Sequence, residues 1–218
     1  MSETPAAQPV PPEGRTESTG ESWLSIVAAI LLGIAATLTA FSAYQSGLRD
    51  GEVLEGYNTS STALNDANYF YNQVTQTFAA DQALFVEFAT LAQTGPLSAA
   101  DYITTLMRPE LVEAIEWWEA DEDAITPFDD DEANPYFIAE IAEAERLTAE
   151  SEQAYDDATE AGDIGDKFEL ATVLLALTLF FAGIATLFRR RLVAVSLLGV
   201  SVVALTAGAL QLATALTA

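Results

Sequence analysis

Three long apolar runs divide the chain, and the polar stretches between them set its plan. Residues 23–46 form the first run, with Trp23 and Tyr44 near its two ends, where amphipathic rings prefer a membrane interface. Residues 168–188 form the second, uncharged from Leu170 onward, and residues 192–216 form the third. Each run exceeds the roughly 18 residues an α-helix needs to begin crossing the hydrocarbon core. Lipid offers no partner for free N–H and C=O groups, so such runs read as helices that satisfy their own backbone. The expected fold is therefore all-α, with three transmembrane helices. A basic turn at residues 189–191 joins the last two.

The long insertion, residues 47–167, changes period rather than polarity. Leu64, Tyr71, Phe78, Phe85 and Ala92 recur every seven residues, with Ala67, Val74, Asp81 and Phe88 between them. Alternating steps of three and four place an apolar seam on one side of a helix that meets a partner helix. Gly47, Gly51 and Gly56 are expected to loosen the entry to this helix, and Gly95-Pro96 to end it. Ser98 then caps a short helix reaching Met107, and Pro109 opens another to Ala120, with Leu111, Ile115 and Trp118 on one face. Residues 119–134 read as a loop, and Pro135 reopens the helical pattern. The seam there is smaller: Phe137, Ile141, Ala144, Thr148, Ser151, Tyr155 and Ala158. Bulky positions opposite small ones predict an antiparallel helical hairpin, coiled-coil-like and capped by the short helices.

Charge narrows the function classes. The 218 residues include 33 acidic and 8 basic side chains, no Cys and no His, for a net charge of −25. Phosphate binding needs a basic surface, so nucleic acid is excluded as a partner. Without Cys there is no disulfide or thiolate chemistry, and without His the commonest general base and metal ligand are missing. No cofactor or enzymatic activity is expected. So acidic a chain suits concentrated salt, where carboxylates hold water and cations, and a halophilic source accounts for most acidic clusters as solvation with diffuse cation binding. Residues 1–22, rich in Pro, Ser, Thr and Glu, read as a disordered acidic tail. They lack the basic start of a secretory signal.

Orientation follows from where basic residues gather. Arg189, Arg190 and Arg191 are the only basic cluster, which places that turn and the N-terminus in the cytoplasm. The 47–167 domain and the C-terminus are then extracytoplasmic, and the chain is a multi-pass protein of the cell membrane. Asn58-Thr59-Ser60 is a glycosylation sequon on the same expected side.

Candidate chemistry is sparse. Ala29/Gly33 and Ala36/Ala40 in the first span are small-xxx-small pairs, fit either for packing within the chain or for contact with a second copy. Gln211 fits an interhelical hydrogen bond or a pore lining. Asp121, Asp123, Asp129 and Asp131 are weak candidates for a hard cation, lacking the Gly and terminal Glu of a calcium loop. Asp81 occupies a seam position, where a carboxylate needs a partner; Arg108 or Arg146 can supply it, or the position is open to water. A functional carboxylate is the sharper alternative. Trp117, Trp118, Phe128, Tyr136 and Phe137 form either a small core or an exposed aromatic patch.

Several motifs carry a resemblance: Tyr44-Gln45, Phe85 to Phe88, Arg108-Pro109-Glu110, Trp118, Thr126-Pro127-Phe128, Pro135-Tyr136, Glu143-Ala144-Glu145 and Leu179-Phe180-Phe181-Ala182-Gly183. Over roughly residues 23–190 the chain resembles a family of uncharacterised prokaryotic three-span membrane proteins with a helical insertion after the first span. That resemblance implies the architecture and no activity; this chain differs from the family in its acidity. The expected function is a non-enzymatic membrane protein, an accessory, scaffold or sensor subunit that binds its own copies or another membrane protein. The alternative is a homo-oligomeric cation channel.

Overall fold

The computed structural model describes residues 19–218. The tail predicted for residues 1–22 lies outside the described residues except for its last four, which open the first helix. Five α-helices follow and no strand occurs among the described residues: α1 Thr19–Thr94, α2 Leu97–Thr104, α3 Pro109–Ala120, α4 Glu140–Ala185 and α5 Arg191–Leu216. Three of them, α1, α4 and α5, are long and apolar enough to cross a membrane. The fold is all-α, and its contacts gather into two compact units: residues up to Gly51 with Glu160–Ala218, and Glu52–Thr159.

The first, apolar unit is packed through small side chains. Ala28 and Leu31 of α1 meet Ala182 and Ala185 of α4 and Leu198 of α5. A second cluster joins Phe168 and Ala171 of α4 to Leu212 and Ala215 of α5, with Leu38 of α1 against them. Polar groups cross-link the same helices. Ser42 Oγ donates to the Phe168 carbonyl at 2.8 Å, and Ser201 Oγ to the Thr178 carbonyl at 3.1 Å. At Gly208 an added Cβ would lie 2.9 Å from Leu175, so only glycine allows α5 this close to α4. The large side chains point outward instead: Trp23, Ile30, Phe180, Val203 and Leu210 are all exposed. In the most apolar window of α1 only 17% of the residues are buried. A surface this apolar is stable against lipid and unstable against water.

The acidic unit departs from the predicted seam in an instructive way. Ala67, Val74, Asp81 and Phe88 do face inward, but Leu64 is 47% exposed and the buried residue beside it is Ala63. The inner face of α1 reads Gly56, Ser60, Ala63, Ala67, small rather than bulky. On α4, Ala144, Ser151 and Ala158 are buried as expected, while Leu147 replaces Thr148, and Ile141 and Tyr155 are exposed, as is Phe137 ahead of the helix. Gly56 lies against Ala154 and Ala158, and Ser60 meets Ser151, so positions climb on α1 as they descend on α4. Ser151 Oγ donates to the Ser60 carbonyl at 2.9 Å, and the two hydroxyls are 3.0 Å apart. Ser60 is thus buried, and the Asn58-Thr59-Ser60 sequon sits inside a helix rather than on the surface loop that glycosylation needs.

Other predicted boundaries also shift. α1 runs through Gly47, Gly51 and Gly56 without a break, because i→i−4 bonding tolerates isolated glycine at a cost of about 1 kcal/mol each. Pro96, not Ser98, precedes α2, whose backbone settles into helix directly after the proline. α3 matches its predicted bounds, with Leu111 and Ile115 buried. Pro135 does not reopen the helix; α4 starts at Glu140, since residues 134–137 are engaged in the loop contacts described below. The basic turn begins earlier than expected, and Arg191 is already the first residue of α5.

Gly56 gives a direct test of this packing. An added Cβ would lie 2.7 Å from Ala158 Cβ and 3.0 Å from the Ala154 carbonyl oxygen, whereas at Gly51 nothing lies within 4 Å. Gly56→Ala should therefore destabilise by about 1 kcal/mol net, overpacking outweighing better helix propensity. Gly51→Ala should stabilise by a similar amount, about 0.5–1 kcal/mol. Thermal unfolding of the two variants in detergent, followed by circular dichroism, should move in opposite directions.

Candidate functional site

One charged residue is drawn deep into the acidic unit, and three segments converge on it. Asp81 sits on the inner face of α1 because the 3-4 spacing of Ala67, Val74 and Phe88 puts it there. Its side chain is only 3% exposed. Arg108, the residue just before Pro109, lies in extended backbone at the start of α3 and reaches back to it. The guanidinium donates twice to Asp81 Oδ2, from Nη2 at 2.7 Å and from Nε at 3.0 Å. Tyr136, on the approach to α4, donates its hydroxyl to the same oxygen at 2.9 Å. Two further Arg108 N–H groups are used as well: Nη2 bonds the Phe137 carbonyl at 3.2 Å and Nη1 bonds Glu110 at 3.2 Å. The guanidinium carbon also stands 5.8 Å from the centre of the Tyr136 ring.

Electrostatics follows the geometry. The hydrogen bond from Arg108 to Asp81 raises the guanidinium pKa further above its ordinary value, against a smaller opposing effect of burial. Burial, reinforced by the hydrogen bond to the Asp81 carboxylate, pushes the Tyr136 hydroxyl well above the ordinary phenol range. Both partners are locked in the protonation states that bind a carboxylate. Such a network anchors; neither the guanidinium nor the phenol is poised to exchange a proton near neutral pH.

Around it lies a core of ring edges and aliphatic side chains. Ile103 and Met107 pack with Leu111 and Ile115 against Phe85 and Phe88 of α1. Phe128 and Tyr136 meet edge-on with ring centroids 4.9 Å apart, and Phe85 meets Trp118 at 5.3 Å. The expected aromatic group therefore divides. Trp118, Phe128 and Tyr136 join this core, Trp117 is half-buried, and Phe137 is 55% exposed.

The acidic loop between α3 and α4 is organised by its own carboxylates. Asp129 Oδ2 accepts from the Ile125 and Thr126 amides at 2.6 and 3.2 Å, and Oδ1 accepts from the Thr126 hydroxyl at 2.7 Å. These bonds, the hydroxyl's first, lower the Asp129 pKa. Asp121 accepts from the Asp123 amide, and Asp131 from the Ala133 amide. Asn134 ties the turn with bonds to the Pro127 and Asp129 carbonyls. The oxygens of Asp121, Asp129 and Asp131 are thus aimed at backbone amides. Among the described residues no group of three or more acidic side chains is gathered to hold a metal ion.

The remaining sequence candidates are resolved in the same way. Arg146, the alternative partner for Asp81, instead bonds Glu143 and Glu150 along its own helix. Ala29, Gly33, Ala36 and Ala40 all lie on the exposed side of α1, with nothing within 4 Å of an added Cβ at Gly33. Packing within the chain uses Ala28, Leu31 and Ala35 instead. Gln211 is half-buried, and Arg189, Arg190 and Arg191 are exposed. The sequence offered Arg108 and Arg146 alike as partners for Asp81, of which Arg108 pairs with it, and gave no donor role to Tyr136. The signal was available: a hydroxyl-bearing aromatic one residue after a proline, among residues assigned to the core.

No protein-family model matches this chain, and comparison with curated proteins and with solved structures gives no match either.

The network makes two measurable demands. Arg108→Leu leaves a buried carboxylate without its cation and should cost about 3 kcal/mol of unfolding free energy; adding Asp81→Leu should restore most of it. The phenol supplies a pH signature. Its raised folded pKa means the unfolded chain loses this proton first, so its contribution is full below pH about 10 and declines above it. That decline approaches about 1.4 kcal/mol per pH unit. Tyr136→Phe should remove it, read from denaturant unfolding between neutral and alkaline pH.

Proposed function

We propose that this chain is a non-enzymatic, multi-pass membrane protein that holds an acidic helical unit outside the cell as an accessory, scaffold or sensor subunit. In this reading residues 47–167 form an antiparallel helical hairpin capped by α2 and α3, and three spans anchor it. The observation that carries the proposal is the fate of the polar side chains. Asp81, the one buried carboxylate of the acidic unit, is committed to Arg108 and Tyr136. In the spans, Thr37, Thr39, Thr178 and Thr206 each donate to a carbonyl one turn back on their own helix. Side chains used in this way hold a scaffold together and line no aqueous path, which favours the scaffold over a homo-oligomeric cation channel. Self-association enters through the outward small residues Ala29, Gly33, Ala36 and Ala40, a surface that lets two helix backbones approach.

Sidedness follows the arginines: the turn at Arg189–Arg191 and the N-terminus are cytoplasmic, the acidic unit and C-terminus extracytoplasmic. Ile125 is 81% exposed, and the chain contains no natural Cys. Ile125→Cys should therefore react in intact cells with a membrane-impermeant maleimide; labelling only after permeabilisation reverses the orientation. In proteoliposomes the purified protein should pass no more potassium than empty vesicles. A cation-selective flux would overturn the scaffold in favour of the channel.

A further inference from the structure

The inner face of α1 in the acidic unit is filled by α4, yet a second seam with the same spacing lies beside it and is exposed, touched by α4 where the Tyr57 and Tyr155 ring centroids stand 5.5 Å apart. Leu54, Tyr57, Ser61, Leu64, Asn68 and Tyr71 alternate by three and four, and all six are exposed. Leu54 is 64% exposed, Leu64 47%, Tyr57 41% and Tyr71 40%. At 100° per residue this seam is centred roughly 90° from the buried one, so a single helix presents two adjoining interfaces. Two overlapping seams on one helix are what a bundle of more than two helices requires.

Charge identifies the occupant. From Gly56 to Ala80, 25 residues, Asp66 is the only charged side chain, and it points roughly opposite the exposed seam. Over Glu140–Thr159 of α4, by contrast, 20 residues hold seven carboxylates. The stretch 45–167 as a whole carries 28 acidic and 4 basic residues, a formal charge of −24. A cationic partner would be met by carboxylates, and this face withholds them. A partner as acidic as this unit would meet carboxylates along Glu140–Thr159, and on this face it is spared like-charge contact.

We propose that the exposed seam of α1 receives the same seam of a second copy, building a parallel α1–α1 contact in a two-fold dimer. The inference rests on the self-association proposed above and adds an extramembrane interface to it. Both copies enter from the same bilayer, which orders the two helices in parallel and raises their effective concentration. Leu54, Tyr57, Leu64 and Tyr71 then meet their own counterparts. Asn68 meets Asn68 of the second copy, where a paired carboxamide in an apolar seam fixes register and favours two strands over higher assemblies. The contact spans about 25 Å of helix from Leu54 to Tyr71.

Single cysteines in the full-length protein, in lipid nanodiscs or native membranes, test this directly. Leu64→Cys places two sulfurs across the two-fold within disulfide reach, whereas Asp66→Cys turns them away; oxidation should give about fivefold more covalent dimer for the first. Equal yields at the two positions, or none at Leu64→Cys, overturn the proposal. Ala36→Cys serves as the membrane-face reference. Dimer at Ala36→Cys without dimer at Leu64→Cys keeps span association and removes the extramembrane seam. Dimer at Leu64→Cys alone keeps the seam and removes the span contact. A charge-insertion variant, Leu64→Glu with Tyr71→Glu, checks the same surface without a cross-link. It should lower the non-covalent dimer fraction while leaving helix content unchanged, and an undiminished dimer counts against the seam.

Discussion

Close approach of α1 and α4 is the constraint that the rest of the structure depends on. Two helices reach interaxial distances near 8 Å only where the facing side chains are small. In the acidic unit that requirement is met by Gly56, Ser60, Ala63 and Ala67 on α1 and by Ala144, Ser151 and Ala158 on α4. In the apolar unit it is met by Ala28, Ala35 and Ser42 against Ala171, Ala182 and Ala185. The solution is the same in both settings although the driving forces differ. Water favours burying apolar area, whereas lipid is as apolar as the side chains and rewards only packing and hydrogen bonding. A seam of Ala, Gly and Ser satisfies both, because it gives backbone proximity and short hydroxyl bonds such as Ser42 to Phe168 and Ser151 to Ser60.

That constraint explains which parts of the fold were legible in the sequence. Long uncharged runs are a one-dimensional signal, so the three apolar helices and the short α3 could be read directly. The heptad on α1 was legible only in part. Ala67, Val74, Phe78, Asp81, Phe85 and Phe88 stood where expected, but bulk drew the first part of the seam to Leu64 and Tyr71 rather than to Ala63 and Phe70. Hydrophobicity ranks Leu above Ala, while helix contact at short range ranks them in reverse. The same inversion put Tyr155 where Ala154 belongs on α4, while Leu147 in place of Thr148 is a one-residue slip in register. Boundaries shifted for a different reason. Pro135 resembles a helix start, yet residues 134–137 are held by Asn134 and by the Arg108 bond to the Phe137 carbonyl, and helix begins only beyond them.

The site around Asp81 was legible as a problem before it was legible as a solution. A carboxylate in a seam requires a counter-charge, and a chain with eight basic residues offers few. Choosing Arg108 over Arg146 needs the third dimension. Arg146 already has Glu143 and Glu150 one turn to either side, an exposed local pairing screened by solvent. Arg108 sits between α2 and α3, and its four hydrogen bonds join α1, α3 and the approach to α4. Removing the guanidinium therefore disturbs three connections at once, which is why a polar group was kept in a position that Leu could fill. The aromatic core closing over Tyr136 has the complementary role of keeping water from the carboxylate.

Acidity, finally, acts as a sorting rule as well as a means of solvation. A unit carrying a charge of −24 repels any similar surface unless some face is kept free of carboxylates. On α4 and in the α3–α4 loop, carboxylates occupy nearly every turn and serve hydration or local turns, as Asp129 does with the Ile125 and Thr126 amides. On α1 the 25 residues from Gly56 to Ala80 hold one carboxylate, Asp66, and the other polar positions are mostly Asn, Gln, Ser and Thr, which hydrate a helix without charging it. Solvation in brine alone would spread acidic residues over every exposed helix, since each faces the same solvent. Their scarcity over the exposed face of one helical stretch needs a second cause acting there, and contact with an equally acidic surface, as proposed above, supplies one.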